Sequence, residues 1–452
     1  MAEQEDDLLA WAAQICAGRL SSSRRLVGGN RRRAWAVDIT TGSGERKELF
    51  LRFASGEGQS GADTYTLGRE ATAYLALADT PVKMPRIIAS HPVHQALLME
   101  RVAGETTYRT IADEGEKQAI ALDFIEAIHA LHQVDLQSLH LPGIVTDGDL
   151  ASHVRRELET WHGMYAETNR PDPLIELAFA WLRAHVPFAD VRPVLVHGDA
   201  GPGNFMFDEG RLVALIDWEL WHIGDPVEDI AWFSFRCVLE PVPSFAECVR
   251  AYERLSGNAV DAVRFRYHQM LVALRIVIIR HRVLDEVVPD SDLGNSLVSR
   301  LLNRRLLVET LSAAMGAPDV EPPRPPSGST PRDIYFDYAI EQLRSVIGPQ
   351  CADPVASSKT KSVARILKFL KSWNALEKAH EAQERDELAA LLGRQPEDID
   401  AGRAKLARSI VDGSIDPLKA LSYVRCQSSR DTAVGSTALG VLAHRSFPPI
   451  KQ

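Results

Sequence analysis

The sequence is poor in cysteine and has no long apolar run, and each shortage excludes a class of protein. Its five cysteines are odd in number, widely scattered and without a CxxC pair. That pattern favours free thiols in a reducing compartment over a disulfide framework or a zinc site. The longest apolar stretch, around Leu271 to Ile279, is interrupted by Arg275 and is too short to span a bilayer.

Positive charge is also in short supply. The chain has 51 Lys and Arg residues against 61 Asp and Glu, a net charge of −10, which argues against a general nucleic-acid binder. The segment from Met1 to Asp7 is acidic where a signal peptide needs positive charge, and no apolar segment follows it. We therefore expect a cytoplasmic protein that binds neither nucleic acid nor membrane, and a homodimer stays open.

What is present is an ordinary globular composition over 452 residues, 45% of them hydrophobic, which is enough for several buried cores. Short strand patterns at 34–40, 48–53, 86–90 and 96–102 surround one helix pattern at 63–78. Helical periodicity then dominates, apart from strand signals at 193–197 and 212–216. Six prolines between 316 and 332 predict an extended linker. The predicted domains are a β-rich lobe at 1–102, a mostly helical lobe at 103–315, the linker at 316–332 and a helical region at 333–452.

Polar residues follow two predicted strands near the middle of the chain. His197, Asp199 and Asn204 come after the first strand, and Asp217 follows the second. Two neighbouring strands could bring these oxygens to one point, where Mg²⁺ would accept sparse hard ligands. Phosphoryl transfer needs that metal and a carboxylate that accepts the proton of the attacking hydroxyl. The alternative is a set of polar turn residues beside buried strands, but the joint spacing is more restrictive than any single residue.

The runs HGDxxxxN and IDWE resemble the catalytic and metal-binding signature of the aminoglycoside phosphotransferase/choline kinase-like superfamily of small-molecule kinases. The segment GDPVEDIAW at 224–232 is similar to a further stretch of that family, and the resemblance covers roughly residues 20–310. It implies an α+β, bilobal protein-kinase-like fold with a β-rich N-lobe and a mostly helical C-lobe, followed by a separate small all-α domain. It also implies that Asp199 is the catalytic base, His197 an orienting residue, Asn204 and Asp217 the Mg²⁺ ligands, and Asp229 a brace for the catalytic loop.

The same resemblance predicts that the N-terminal lobe holds a nucleotide, with ATP as the default. Gly28 and Gly29 would let the backbone approach the phosphates, although Asn30 to Arg33 depart from the residues usual in the family. Arg52 would bind the phosphates and pair with Glu70; the alternative is an ordinary surface ion pair. By analogy, the backbone at Glu100 and Val102 would form the hinge that meets adenine.

The predicted helix at 262–282 carries several basic residues and no acidic one. At helical spacing four of them fall within one narrow arc, which we call the basic stripe. A basic stripe on an apolar helix is costly unless it meets anions, so the acceptor would be anionic. The alternative, equally open, is pairing with structural carboxylates of neighbouring helices. The stripe consists of Arg264, His268, Arg275 and Arg282.

The whole pattern most resembles the branch of the superfamily found fused to, or encoded beside, acyl-CoA dehydrogenases. That branch implies an ATP- and Mg²⁺-dependent kinase of a hydroxyacyl-CoA or another anionic hydroxy compound, a small-molecule substrate. The region after residue 332 resembles a helical domain of uncharacterised function that accompanies this branch. Two alternatives stay open: a kinase of the same fold acting on an aminoglycoside, macrolide or other alcohol, and a nucleotide-binding pseudo-kinase scaffold.

Overall fold

The structure is a computed structural model that describes residues 2–26, 32–54, 66–187, 190–282, 292–317 and 328–450. Contacts divide the chain into two units, each built from separate stretches of sequence. The first unit contains Met1–Val154, Phe188–Phe265 and Pro448–Gln452; the second contains Arg155–Pro187 and Arg266–Phe447.

A five-stranded antiparallel sheet forms the N-terminal part of the first unit. In its third strand, side chains alternate between the two faces, so that Leu49, Leu51 and Phe53 are buried against the N-terminal helix. The same alternation places Arg52 on the opposite face, where it reaches Glu70 of the second helix. The strands are β1 (Gly18–Leu26), β2 (Arg32–Thr41), β3 (Arg46–Ala54), β4 (Ile87–Ser90) and β5 (Ala96–Glu100), in the order β1-β2-β3-β5-β4; the helices are α1 (Ala2–Ile15) and α2 (Leu67–Ala76).

The first unit also contains two short antiparallel sheets of two strands each and three further helices. The sheets pair β6 (Val194–Val196) with β9 (His222–Gly224), and β7 (Phe205–Asp208) with β8 (Arg211–Leu215). Helix α6 begins sharply because Asp225 accepts a hydrogen bond from the backbone N–H of Val227 and Pro226 occupies the first turn. The helices, in the order of the chain, are α3 (Glu114–His132), α6 (Pro226–Leu239) and α7 (Phe245–Ser256).

The second unit is helical. Its longest helix has 39 residues, and its contacts with the helices before and after it in the chain form the centre of the unit. Helices α4 (Leu150–Ala166) and α8 (Ala262–Arg282) contain residues of both units. The others are α5 (Pro173–Ala184), α9 (Leu293–Ala314), α10 (Asp333–Glu341), α11 (Gly348–Gln350), α12 (Pro354–Leu392), α13 (Ile399–Val411) and α14 (Pro417–Leu439), with a π-helical turn at Gln342–Ile347 between α10 and α11.

The predicted fold class is confirmed: an antiparallel N-terminal sheet is followed by a largely helical remainder. Contacts nevertheless group the chain differently from the expected boundaries, because 155–187 and 266–317 fall in one unit with the C-terminal helices. The predicted domain limits therefore stay a prediction. Most of the predicted linker, at 318–327, lies outside the described residues. In the described parts of the chain, every helix is too short or too polar to cross a membrane.

Candidate functional site

The loop that contains Asp199 begins where the buried strand β6 ends. Gly198 has a positive φ of 77°, and a Cβ atom there would lie 2.1 Å from the carbonyl oxygen of Leu220. Only glycine fits this close approach without moving the backbone. Gly201, further along the loop, would place a Cβ atom 2.6 Å from Cβ of Arg236. The glycines of the motif thus let the loop lie directly against its neighbours.

Asp229 of α6 holds the start of this loop. Its fully buried carboxylate accepts backbone hydrogen bonds from His197 at 2.8 Å and from Gly198 at 3.0 Å. Nε2 of His132 lies 3.0 Å from the same carboxylate, and Nδ1 of His132 lies 2.7 Å from the hydroxyl of Tyr252. The backbone N–H groups of His197 and Gly198 are therefore held by Asp229, and the carboxylate of Asp229 is in turn contacted by His132.

His197 is placed to orient the loop. Its Nδ1 accepts a hydrogen bond from the backbone N–H of Asp199 at 3.3 Å, and its Nε2 lies 3.0 Å from the carbonyl oxygen of Ile216. These partners fit a neutral ring protonated on Nε2, and burial lowers the pKa of His197. The ring also packs against Trp218, with 4.6 Å between centroids. Both ring nitrogens are occupied, so the side chain is not available as a base.

The carboxylate of Asp199 meets an arginine that the sequence analysis did not single out. Nε of Arg236 donates to Asp199 at 2.8 Å, and Nη2 donates to the other carboxylate oxygen. Burial raises the pKa of Asp199 to about 6, although Arg236 opposes that rise. One signal was available in the sequence: Arg236 is a single charge within the apolar run of α6, and a buried charge needs a partner.

Asn204 and Asp217 lie at adjacent ends of the β7–β8 hairpin. Phe205 pairs with Leu215, and the backbone N–H of Ile216 donates to the carbonyl oxygen of Asn204 at 3.0 Å. The Asn204 side-chain amide donates to the carbonyl oxygen of Asp199 at 2.8 Å. Asp217 adopts the left-handed region with φ of 66°, which is uncommon for a residue other than glycine and is frequent at functional sites.

Arg52 connects the N-terminal sheet with this hairpin. Its Nη2 lies 2.7 Å from Asp217, and its Nη1 lies 2.7 Å from Glu70. Arg32 donates to the other oxygen of Glu70 at 2.8 Å and lies 2.7 Å from Glu219. Arg32 and Glu219 were within motifs that we quoted but were assigned no role. Only the fold shows that they belong to one network with Arg52.

The carboxylates of this network have shifted pKa values in both directions. Burial raises the pKa of Glu70 to about 7, even though two arginines contact it. Burial would also raise the pKa of Asp217, but the ion pair with Arg52 outweighs it and the pKa is lowered. Opposed shifts of this kind, caused by burial and specific charges, are frequent at functional sites. The charged groups brought together are Glu70, Asp199, Asp217 and Glu219 with Arg32, Arg52 and Arg236.

The donor set at the hairpin fits a divalent cation with oxygen ligands. Asp217 offers a carboxylate and Asn204 an amide oxygen, next to the carboxylate of Asp199. Mg²⁺ is commonly bound by one or two such protein ligands, and phosphate oxygens and water complete its octahedron. The residues present are therefore suited to Mg²⁺ in company with a phosphorylated ligand.

The other predicted nucleotide-binding residues either lie outside the described residues or belong to a segment with ordinary backbone hydrogen bonds. Gly28 and Gly29 lie outside the described residues. Glu100 ends β5, and its backbone N–H donates to the carbonyl oxygen of Arg86 at 2.9 Å. Val102 follows Arg101, whose backbone N–H donates to the carbonyl oxygen of Glu48 at 3.2 Å.

The basic stripe of α8 is engaged with carboxylates of the chain itself. In the first unit, Arg264 makes a two-pronged contact with the buried carboxylate of Asp225, with Nε at 2.9 Å from Oδ2. In the second unit, Nη2 of Arg275 lies 3.1 Å from Glu157. These contacts match the structural alternative, and they give no support to an anionic acceptor at the stripe. The remaining members are His268, which is fully buried, and Arg282, which lies 3.7 Å from Glu167.

Comparison with protein families gives one match. The family model described as the phosphotransferase enzyme family matches residues 22–266, which is more than half of the chain. The matched range begins in β1 and ends early in α8, so it includes every charged residue of the network described above.

Several relatives are named as acyl-CoA dehydrogenases. The human acyl-CoA dehydrogenase family member 11 is 34% identical over 144 residues, 30% of this chain and 18% of the relative. An Arabidopsis thaliana protein described as the acyl-CoA dehydrogenase IBR3 is 23% identical over 341 residues, which are 66% of this chain and 40% of the relative. The chain therefore spans less than half the length of these relatives.

Solved structures share the fold at low identity. A Ralstonia eutropha protein described as an aminoglycoside phosphotransferase has a TM-score of 0.52 at 22% identity, covering 69% of this chain and 98% of its own. A mutant of the aminoglycoside phosphotransferase APH(4)-Ia, in ternary complex with ADP and hygromycin B, has a TM-score of 0.50 at 17% identity, covering 70% and 99%. At these identities the likeness concerns the fold alone.

Proposed function

This chain belongs to the phosphotransferase enzyme family, and from that premise we propose that it transfers the γ-phosphoryl group of ATP to the hydroxyl group of a small molecule. The observation that carries the proposal is the placing of the Asp199 carboxylate, paired with Arg236, beside Asn204 and Asp217 at the hairpin end. Arg52, on strand β3 of the N-terminal sheet, adds a guanidinium cation beside Asp217. These are the groups that in-line phosphoryl transfer requires.

In this proposal, Asp199 accepts a hydrogen bond from the acceptor hydroxyl and takes its proton as the new bond to phosphorus forms. Arg236 donates a hydrogen bond to each carboxylate oxygen of Asp199, and this pair of bonds fixes the orientation of the carboxylate. Arg52, positioned by Glu70, lies where it can neutralise phosphate oxygens. Asn204 and Asp217 would hold Mg²⁺, which when bound supplies charge neutralisation to the transferring phosphate. Orientation and electrostatic stabilisation together account for most of the catalysis in such enzymes.

For the acceptor we propose a hydroxyacyl-CoA thioester. The support comes from the relatives, because the matched segment recurs in proteins named as acyl-CoA dehydrogenases. A kinase acting on a hydroxyl of an acyl chain would convert that hydroxyl into a phosphate, which is a better leaving group for a later elimination. The basic stripe is not part of this argument, since its arginines are paired within the chain.

The test is ATP consumption by the purified full chain with Mg²⁺, against hydroxyacyl-CoA thioesters, free hydroxy acids and aminoglycosides. Mass spectrometry would follow the gain of one phosphoryl group on each acceptor, and Asp199→Asn would serve as the inactive control. Phosphorylation of a thioester alone supports the proposal. Phosphorylation of an aminoglycoside keeps the reaction and overturns the acceptor. Nucleotide binding without turnover on any acceptor favours a pseudo-kinase scaffold and overturns the enzyme itself.

A further inference from the structure

Arg236 reaches the carboxylate of Asp199 beside two glycines of the loop that contains Asp199. A Cβ atom at Gly201 would lie 2.8 Å from Cγ of Arg236, so a side chain there would collide with the stem of the arginine. A Cβ atom at Gly203 would lie 3.8 Å from Nη1, at the other end of the same side chain. The stem of Arg236 therefore crosses the loop where the loop has no side chains, and its guanidinium group ends next to Gly203.

The guanidinium group of Arg236 has donors on two edges, and Asp199 engages only one of them. An arginine carries five N–H groups in a planar fork. Nε donates to Oδ1 of Asp199 at 2.8 Å, and Nη2 donates to Oδ2. Nη1 makes no hydrogen bond with a described residue, and it remains accessible on a side chain that is 21% exposed. Nη1 and the remaining N–H of Nη2, which we call the second edge, are therefore open to a ligand.

The second edge lies beside the stretch of loop that joins Asp199 to Asn204. Gly203, next to Nη1, directly precedes Asn204, and the side-chain amide of Asn204 donates to the carbonyl oxygen of Asp199 at 2.8 Å. In the proposed transfer, Asp199 receives the proton and Asn204 helps to hold Mg²⁺, so the phosphoryl group passes near both residues. Positioning of Asp199 alone would explain the first edge of Arg236 and would leave the second edge without a function.

Resting on that transfer, we propose that Arg236 is a further catalytic residue, whose second edge donates hydrogen bonds to oxygens of the γ-phosphoryl group of ATP. The acceptor oxygen forms a bond to phosphorus, the bond from phosphorus to the β–γ bridging oxygen breaks, and ADP leaves with that electron pair. Asp199 takes the hydroxyl proton. Arg236 stabilises the negative charge on the oxygens of the phosphoryl group while it holds the base on its first edge, so one planar group aligns the base with the phosphorus.

Titration calorimetry on the full chain with Mg²⁺ tests this contact with two nucleotides, ADP and AMP-PNP, the second of which has a third phosphoryl group. The ratio of their dissociation constants measures what that group adds to binding. Arg236→Lys keeps a positive charge for Asp199 but has no second edge. Its preference for AMP-PNP should fall about tenfold, the usual size of one charge-assisted contact, while its affinity for ADP changes less than about twofold. Arg236→Lys decides the question even where Arg236→Gln, which leaves Asp199 buried without a partner, fails to fold.

Two further variants separate the contact from a disturbance of the loop. Asp199→Asn leaves the second edge in place and should keep the preference for AMP-PNP. Arg250→Gln, at an exposed arginine of the neighbouring helix α7, is the matched control and should bind both nucleotides as the unsubstituted chain does. An unchanged preference in Arg236→Lys would reduce Arg236 to a positioning residue and overturn the contact. An equal loss of affinity for both nucleotides would also overturn it, because Arg236 would then support the nucleotide site as a whole.

Turnover supplies a separate readout. With an acceptor that is phosphorylated, Arg236→Lys should lower kcat by about a hundredfold and leave KM for the acceptor within about threefold, because the contact strengthens as charge develops on the phosphoryl group. Absence of turnover on every acceptor, with the preference for AMP-PNP lost in Arg236→Lys, would overturn the proposed transfer and keep the phosphoryl contact. Failure of the unsubstituted chain to bind either nucleotide would overturn both.

Discussion

Two buried carboxylates of the candidate site and two of the second unit respond to their arginines in opposite ways. In the candidate site, burial raises the pKa of Asp199 to about 6 and that of Glu70 to about 7, although each contacts an arginine. In the second unit, Asp172 also lies buried against an arginine, yet its pKa is lowered to about 2. The pKa of Glu384 is lowered as well.

The difference comes from the neighbours of each pair. Asp172 caps α5, where it accepts hydrogen bonds from the backbone N–H groups of Leu174 and Ile175 in addition to those from Arg304. Among the described residues, Arg236 alone donates to the carboxylate of Asp199, and the negative charges of Asp217 and Glu219 raise its pKa further. The carboxylate of Asp172 is therefore satisfied by several donors, whereas the candidate site crowds like charges together. That crowding is costly for folding and useful for binding a cation and moving a proton.

The largest expected effect is on catalysis. Asp199→Asn should lower kcat by about three to four orders of magnitude, because the base is lost while the shape of the site is kept. Nucleotide affinity, measured by calorimetry, should change little. Asp208→Asn, an exposed change on the neighbouring strand β7, is the control. Retention of turnover in Asp199→Asn would remove the catalytic role from that residue.

The next effect is on stability in the second unit. Asp172→Ala should lower the free energy of unfolding by about 3 kcal/mol, because it removes a helix cap and leaves Arg304 buried without its carboxylate. Asp353→Ala removes an exposed cap of α12 that has no such arginine, and should cost about 1 kcal/mol. Urea unfolding of both variants measures the difference. Equal losses would show that the ion pair contributes nothing beyond the cap.

The pH dependence of stability should have opposite signs for the two carboxylates. The raised pKa of Asp199 gives stability that is complete below about pH 4 and is lost as the pH rises through about 6. The lowered pKa of Asp172 gives stability that is present above about pH 4 and is lost as the pH falls through about 2. The contribution is about 3 kcal/mol for Asp199 and about 2 kcal/mol for Asp172. Asp199→Asn should therefore reduce the loss of stability expected between pH 4 and 7 in urea titrations, to which the raised pKa of Glu70 also contributes. An undiminished loss in Asp199→Asn would contradict the raised pKa of Asp199.

A smaller effect is expected on nucleotide binding. Arg52→Gln should weaken ATP affinity by about tenfold, because one phosphate-facing cation is removed. Arg32→Gln is the comparison, since Arg32 also contacts Glu70 but has its 2.7 Å ion pair with Glu219 where Arg52 has one with Asp217. It should have the smaller effect on Mg²⁺-dependent binding. A larger effect of Arg32→Gln than of Arg52→Gln would indicate that Arg32, and not Arg52, contacts the phosphates.

The smallest effect is expected at an exposed ion pair of the helical unit. Arg183 bonds Glu159 through two nitrogens, at 2.7 Å and 2.8 Å, but both side chains are largely solvated. Arg183→Gln should therefore change the free energy of unfolding by less than about 1 kcal/mol. A loss as large as that of Asp172→Ala would show that burial is not what separates the two pairs.

Local spacing allowed the sequence to predict the motif residues but not their partners. Asp199 and Asn204 are five positions apart on one loop, and a short hairpin returns the chain to Asp217, so few folds could separate them. Arg236 and Arg32 are far from their partners along the chain, and nothing local marks those pairings. The spacing of the basic stripe correctly predicted a helix. Periodicity does not reveal which residues of other elements contact its arginines.

By itself the sequence determined the fold class, strands β2 to β5 with helix α2 between them, and the position of the loop that carries Asp199. These depend on side-chain periodicity and on short-range spacing, which are visible in the amino-acid sequence itself. The tertiary structure decided which charges share a site, and therefore which carboxylates titrate high and which low. It also decided that Arg264 and Arg275 of α8 are paired with Asp225 and Glu157. The reason is physical: burial and ion pairing depend on distances between residues that are remote in sequence.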